Sequence, residues 1–294
     1  MNSDVLLELR AARRAPGPGR REALTALANL GGWDALDPVD QRAMARLIEV
    51  KALTEKPGPM HLCGSWYAVP AAVGRQAVLD AFELADARPV TMRLGASAWN
   101  NDRHNWDLGD HGACSRMYIT PALDGWTLVF GTVPTVAHLQ SEAAFREAVR
   151  AHCAELSGRF GVTQWYGASC GDGWTAWCLA EDGRVTDRYD ILEPEPPEND
   201  HEPVIRYYDD LVARTAPPTT TRFEQLHIEG FGAPTIVRRN RSLRGDERHA
   251  TEVAAGLSIN PAALGPHHTV TGRALLALTS CGIGRPSTPG ALAC

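Results

Sequence analysis

The chain is short of lysine. Lys51 and Lys56 are the only two among 29 basic residues, and the rest are arginines. A GC-rich bacterial genome produces this bias, so the arginine number by itself says nothing about binding. Positive charge is scarce overall, with a formal net charge of −6 and a pI near 5.9. That excludes the basic surface which non-specific nucleic-acid binding requires. No apolar run approaches the roughly 18 residues needed to cross a bilayer. Residues 1–30 scatter charges through short apolar stretches, so no signal peptide is expected there. The expectation is a soluble protein that stays in the cytoplasm and engages neither membrane nor nucleic acid.

Other absences narrow the chemistry. The 294 residues contain no C-x-x-C pair, no G-x-x-x-x-G-K-S/T phosphate loop and no full G-x-G-x-x-G. No repeat recurs at a period of roughly 20–50 residues. The seven cysteines are an odd number in a long chain, which argues against a disulfide framework. An all-cysteine zinc site has no spacing support.

What is present is an ordinary globular composition, 44% hydrophobic and 22% charged. The N-terminal part reads as helical. Leu6, Leu7 and Leu9 open an apolar segment closed by Pro16-Gly17-Pro18-Gly19. Leu24, Leu27, Ala28 and Leu30 recur at helical spacing until Gly31-Gly32. Asp37-Pro38-Val39-Asp40 starts a further helix, with Met44, Leu47, Ile48 and Ala52 on its buried face.

From Ser115 the texture turns β-like. SRMYIT and WTLVFG flank Asp124-Gly125, a hairpin signal. A helix is expected over about 138–157. TQWYGA, WTAWCL and RVTDRY follow as strands, the last two joined at Asp182-Gly183. The expected fold is α+β: a central mixed or antiparallel sheet with covering helices, a helical N-terminal segment and an irregular C-terminal extension. The expected divisions are 1–60 (helical), 61–190 (sheet domain), 191–203 (acidic Pro-rich linker) and 204–294 (extension docking on the sheet). Within the extension, 247–257 reads as a helix, and Ala274–Leu278 as a strand or helical turn.

Three clusters could carry function. The first is WNNDRHNWDLGDHGAC, Trp99–Cys114. Its Asp102, His104, Asp110, His111 and Cys114 are a candidate ligand set for a divalent transition metal, since imidazole, thiolate and carboxylate suit such ions. The competing reading is a polar loop whose Asn and Asp residues hold turns.

The second is WYGASCGDGWTAW, Trp165–Trp177. Gly167-Ala168-Ser169-Cys170-Gly171 matches the bare G-x-S-x-G elbow, but a β-like run follows where the elbow needs a helix. Ser169 or Cys170 remains a candidate nucleophile. His104 or His111 would be the base and Asp172 would complete the site; His152, His249, His267 and His268 are further candidate bases. His61-Leu62-Cys63 is a lone His-x-Cys pair that could ligate a metal with help from this cluster.

The third signal is tryptophan. Trp66, Trp99, Trp106, Trp165, Trp174 and Trp177 could line a ligand or partner surface, or fill the core of a sheet. Neighbours on a strand face opposite sides, so one ring of each close pair points away from the core unless both sheet faces are covered.

Two functions follow from these clusters. The first is a non-catalytic binding or accessory (immunity-type) protein that recognises a protein or small molecule through a Trp-rich surface. The alternative is an enzyme with a His/Asp/Cys site in the 99–114 stretch, metal-dependent or using Cys170 or Ser169 as nucleophile.

Overall fold

The computed structural model describes residues 3–31, 33, 36–104, 111–139, 141–171, 173–190, 192 and 249–285. The fold is α+β. Helices α1 (Ser3–Arg14) and α2 (Gly19–Gly31) pack on each other across the Pro/Gly breaker. In α3 (Pro38–Ala52) the Asp37 carboxylate accepts from the Val39 and Asp40 amides, both at 2.9 Å, and caps the helix as its sequence implies. No helix among the described residues is long and apolar enough to cross a membrane.

The remaining elements, in chain order, build one sheet and its cover. They begin with β1 (Gly64–Pro70), α4 (Arg75–Ala81), β2 (Ala85–Val90), α5 (Met92–His104) and β3 (Arg116–Ile119). Next come β4 (Ala122–Leu123), β5 (Trp126–Phe130), α6 (Pro134–Ala137) and α7 (Glu142–Phe160). Last are β6 (Val162–Ala168), β7 (Thr175–Glu181), β8 (Arg184–Asp190), α8 (Ala250–Leu257), β9 (Val270–Thr271) and β10 (Ala274–Leu278). The sheet runs β2-β10-β3-β5-β1-β6-β7-β8, with β4 and β9 paired beside β5. Every pairing is antiparallel. β10 therefore sits inside the sheet, between β2 and β3, and the C-terminal stretch supplies an interior strand. The linker falls outside the described residues, apart from Leu192.

Local chemistry explains the hairpins. Asp124 (φ 44°) with Gly125 (φ 88°), and Asp182 (φ 47°) with Gly183 (φ 80°), take consecutive positive φ angles. This is the type I′ geometry that matches strand twist and that Asp-Gly supplies at little strain.

Both sheet faces are covered. Trp66, Tyr118, Phe130, Tyr166 and Trp177 lie on one face with residues of α2, α3, α5 and α8. Tyr67, Val69, Met117 and Trp165 lie on the other with residues of α4 and α7. Alternation along each strand makes this division. One row crosses six neighbouring strands in register: Tyr118, Phe130, Trp66, Tyr166, Trp177 and Tyr189 are successive cross-strand partners. Their ring centroids lie 5.5 Å (Tyr118–Phe130), 6.2 Å (Phe130–Trp66), 5.3 Å (Trp66–Tyr166) and 6.0 Å (Trp177–Tyr189) apart.

Antiparallel pairing has one consequence for function. The starts of β1 and β3 and the ends of β5, β6 and β10 all emerge at the same end of the sheet. The histidine–cysteine groups are there.

Candidate metal centres

Residues 99–104, which had a polar-loop reading, form the last turns of α5. The caps that make this helix are partly remote. Thr91 Oγ1 accepts from the Leu94 amide at 3.0 Å, and the Glu55 carboxylate accepts from the Met92 and Arg93 amides at 2.6 and 2.9 Å. Asp102 is buried and forms a bidentate pair with Arg116, at 2.5 and 2.8 Å. Burial pushes its carboxyl above the usual range, while the Arg116 charge and hydrogen bonds pull it back. Both carboxylate oxygens are engaged in holding α5 to β3, so Asp102 belongs to neither group of metal donors described below.

His104 closes α5, exposed. Its Nδ1 lies 2.9 Å from the Asn100 carbonyl. A carbonyl only accepts, so Nδ1 carries the proton and Nε2 presents a lone pair. That lone pair faces the Cys170 Sγ at 3.6 Å. Cys170 follows β6, and His61 precedes β1 beside it. The His61 and His104 ring centroids are 5.6 Å apart. The donor atoms of His61, His104 and Cys170 all lie within 4.8 Å of one another, and all three residues are exposed. Beneath them is buried Cys63, whose sulfur accepts from the Cys170 amide at 3.5 Å. Burial opposes ionisation of Cys63, but the Cys170 amide and side chain together with His104 outweigh it and hold the thiol below its ordinary value. The hydrogen bond with Cys63 in turn pushes the Cys170 thiol up, against a pull from Arg103.

A second group lies at the neighbouring strand ends. Cys114 precedes β3, His138 follows α6, and Cys281 follows β10. His111 comes from the turn before β3. The four donor atoms lie within 4.8 Å of one another. Cys114 Sγ is 3.9 Å from His111 Nδ1 and 3.7 Å from His138 Nε2, and His138 Nε2 is 3.2 Å from Cys281 Sγ. Burial and the neighbouring Cys281 thiol push Cys114 up to about 12.

The five-residue ligand set drawn from 99–114 is thus divided. His104 goes to the exposed group, His111 and Cys114 to the half-buried one, and Asp102 to the Arg116 pair. Asp110, Asp172 and Trp106 lie outside the described residues. The His104–Cys170 pairing brings together two residues singled out as base and nucleophile. Ser169 Oγ accepts from the Gly171 amide at 3.3 Å, a turn contact within the β6–β7 connection. Trp66, Trp99, Trp165 and Trp177 are buried, and Trp174 is half-buried with its Nε1 donating to Asp190 at 3.1 Å. His138 and Cys281 carried no local signal, because each is an isolated residue whose partners lie far away in sequence.

No family model matches the sequence, and neither a curated protein nor a solved structure matches the chain.

Proposed function

We propose that the chain is a metal-dependent enzyme of hydrolytic type, with His61, His104 and Cys170 holding a zinc-class ion at the exposed end of the sheet. One observation carries the reading: three solvent-facing donors from separate parts of the chain converge within 4.8 Å. The Nδ1–carbonyl bond of His104 supports it by fixing the tautomer that donates through Nε2. Two imidazoles and a thiolate suit zinc, and three protein ligands leave a position for water. Zinc lowers the pKa of bound water to about 7. Held by His61, His104 and Cys170, the ion would supply a hydroxide for attack on a carbonyl or phosphoryl centre, the proton lost from water passing to solvent. Arg103, whose charge acts on Cys170, favours an anionic substrate. A reducing cytoplasmic setting, which keeps these thiols free, belongs to the same reading.

The test is cobalt substitution of the full chain. An open site changes its visible spectrum when azide enters the vacant position. The azide-sensitive component should vanish in His104→Ala and Cys170→Ser and persist in Cys63→Ser. Ester or phosphoester hydrolysis should be lost with it. An azide response absent from the wild type and gained in Cys63→Ser would mean that Cys63 closes the coordination shell, and the hydrolytic reading would fall.

A second reading keeps the binding protein. An open cleft is lined by Phe145, Trp165, Tyr189, Arg146, Arg188 and Asp190, and its guanidinium groups and rings suit an anionic aromatic ligand. It ranks second because the cleft is shallow and open to solvent, and Arg146 already pairs within it with Asp190 at 3.7 Å. Ligand-induced quenching of tryptophan emission that Arg188→Ala abolishes would promote it.

A further inference from the structure

We infer that His111, Cys114, His138 and Cys281 form a second and closed zinc centre, a structural one, which clamps the end of β10 to the start of β3 and to the segment leaving β5. It shares no residue with the exposed centre and does not depend on it. With Zn–S near 2.3 Å and Zn–N near 2.0 Å, the edges of a tetrahedral site are roughly 3.3–3.8 Å. The three imidazole–thiol separations given above, 3.2, 3.7 and 3.9 Å, scatter within about 0.4 Å of the roughly 3.5 Å N···S edge of such a site. Two thiols and two imidazoles with no carboxylate is a zinc set, and four protein ligands leave no position for substrate. A disulfide between the two cysteines would account for the thiols but not for two imidazoles turned onto them.

The surrounding backbone holds the ligands at these positions. Thr279 Oγ1 donates to the Cys114 carbonyl, and the Thr279 amide donates to the Ser115 carbonyl at 3.1 Å. The Gly282 amide returns to the Thr279 carbonyl at 2.9 Å, forming the turn that carries Cys281. Gly282 lies so close to the Ser115 carbonyl that a Cβ would overlap it. Ser115 Oγ donates to the Gly112 carbonyl at 3.1 Å and folds the His111–Cys114 turn back. An ion here joins positions far apart in the chain, and its binding energy becomes folding energy.

The experiment measures zinc per chain in the full-length protein and its variants. Cys281→Ser and His138→Ala should each remove one zinc equivalent and leave the azide-sensitive cobalt signal of the exposed centre intact. His104→Ala should remove the other equivalent and leave the azide-insensitive four-coordinate cobalt spectrum. Should the variants fail to fold, alkylation of wild-type protein decides: Cys281 should be protected with zinc and react at least about tenfold faster in chelator. Retention of the full zinc content in Cys281→Ser, or alkylation of Cys281 at one rate with and without chelator, would overturn the inference. So would a Cys114–Cys281 disulfide in the native mass.

Discussion

Gly95 has no room for a side chain. A Cβ there would overlap the Tyr118 ring, which packs across α5. Gly95→Ala should therefore destabilise by about 1–3 kcal/mol despite its better helix propensity, a loss measured by urea denaturation. His152 gives a pH-dependent effect. It lies on α7 between Tyr67 and Phe82, at 5.5 Å from each ring, and burial lowers its pKa from 6.5 against the pull of Glu155 and Glu83. A lowered folded-state value means that the unfolded chain binds more protons below pH 6.5. The contribution is thus complete above that pH and is lost as pH falls through the folded-state value. His152→Phe should flatten this acid limb in denaturation midpoints taken from pH 8 to pH 5.

At the scale of elements, α5 shows what local sequence conveys and what it does not. The Asp-Gly hairpins and the Asp37 cap are set by residues within two or three positions of each other, so they are legible directly. The segment MRLGASAWNNDRH carries a glycine, two adjacent asparagines and few apolar residues, a pattern shared with loops. Its helix is secured by Glu55, 37 residues before Met92. Glu55→Ala should cost about 1–2 kcal/mol in denaturant and lower zinc affinity at the His104 end of the same helix, with Glu55→Gln recovering part of both. Stability unchanged in Glu55→Ala would show that Thr91 alone caps the helix. The tryptophans follow the same lesson. Alternation correctly puts Trp165 and Tyr166 on opposite faces, but no pattern in one strand reveals that α7 and α4 cover the second face.

For the whole molecule, the aromatic row ties six strands into one core, and its middle rings matter most. Trp66→Ala should cost about 3–5 kcal/mol and broaden the unfolding transition. The donor residue types were legible, and His61 and Cys63, read as a pair, both lie beside Cys170, but only His61 joins the group of donor atoms. Their division into two groups was not legible, because His138 and Cys281 join only through the antiparallel arrangement of β3, β5 and β10. His104 and His111 sit seven positions apart in the sequence, yet they belong to different donor groups. The buried Asp102–Arg116 pair holds the His104 end of α5 to β3 whether or not an ion is bound, so the two proposed sites should fill independently, each with its own binding constant. Zinc titrations of the wild-type protein and of Cys281→Ser should return the same affinity at the His104 end.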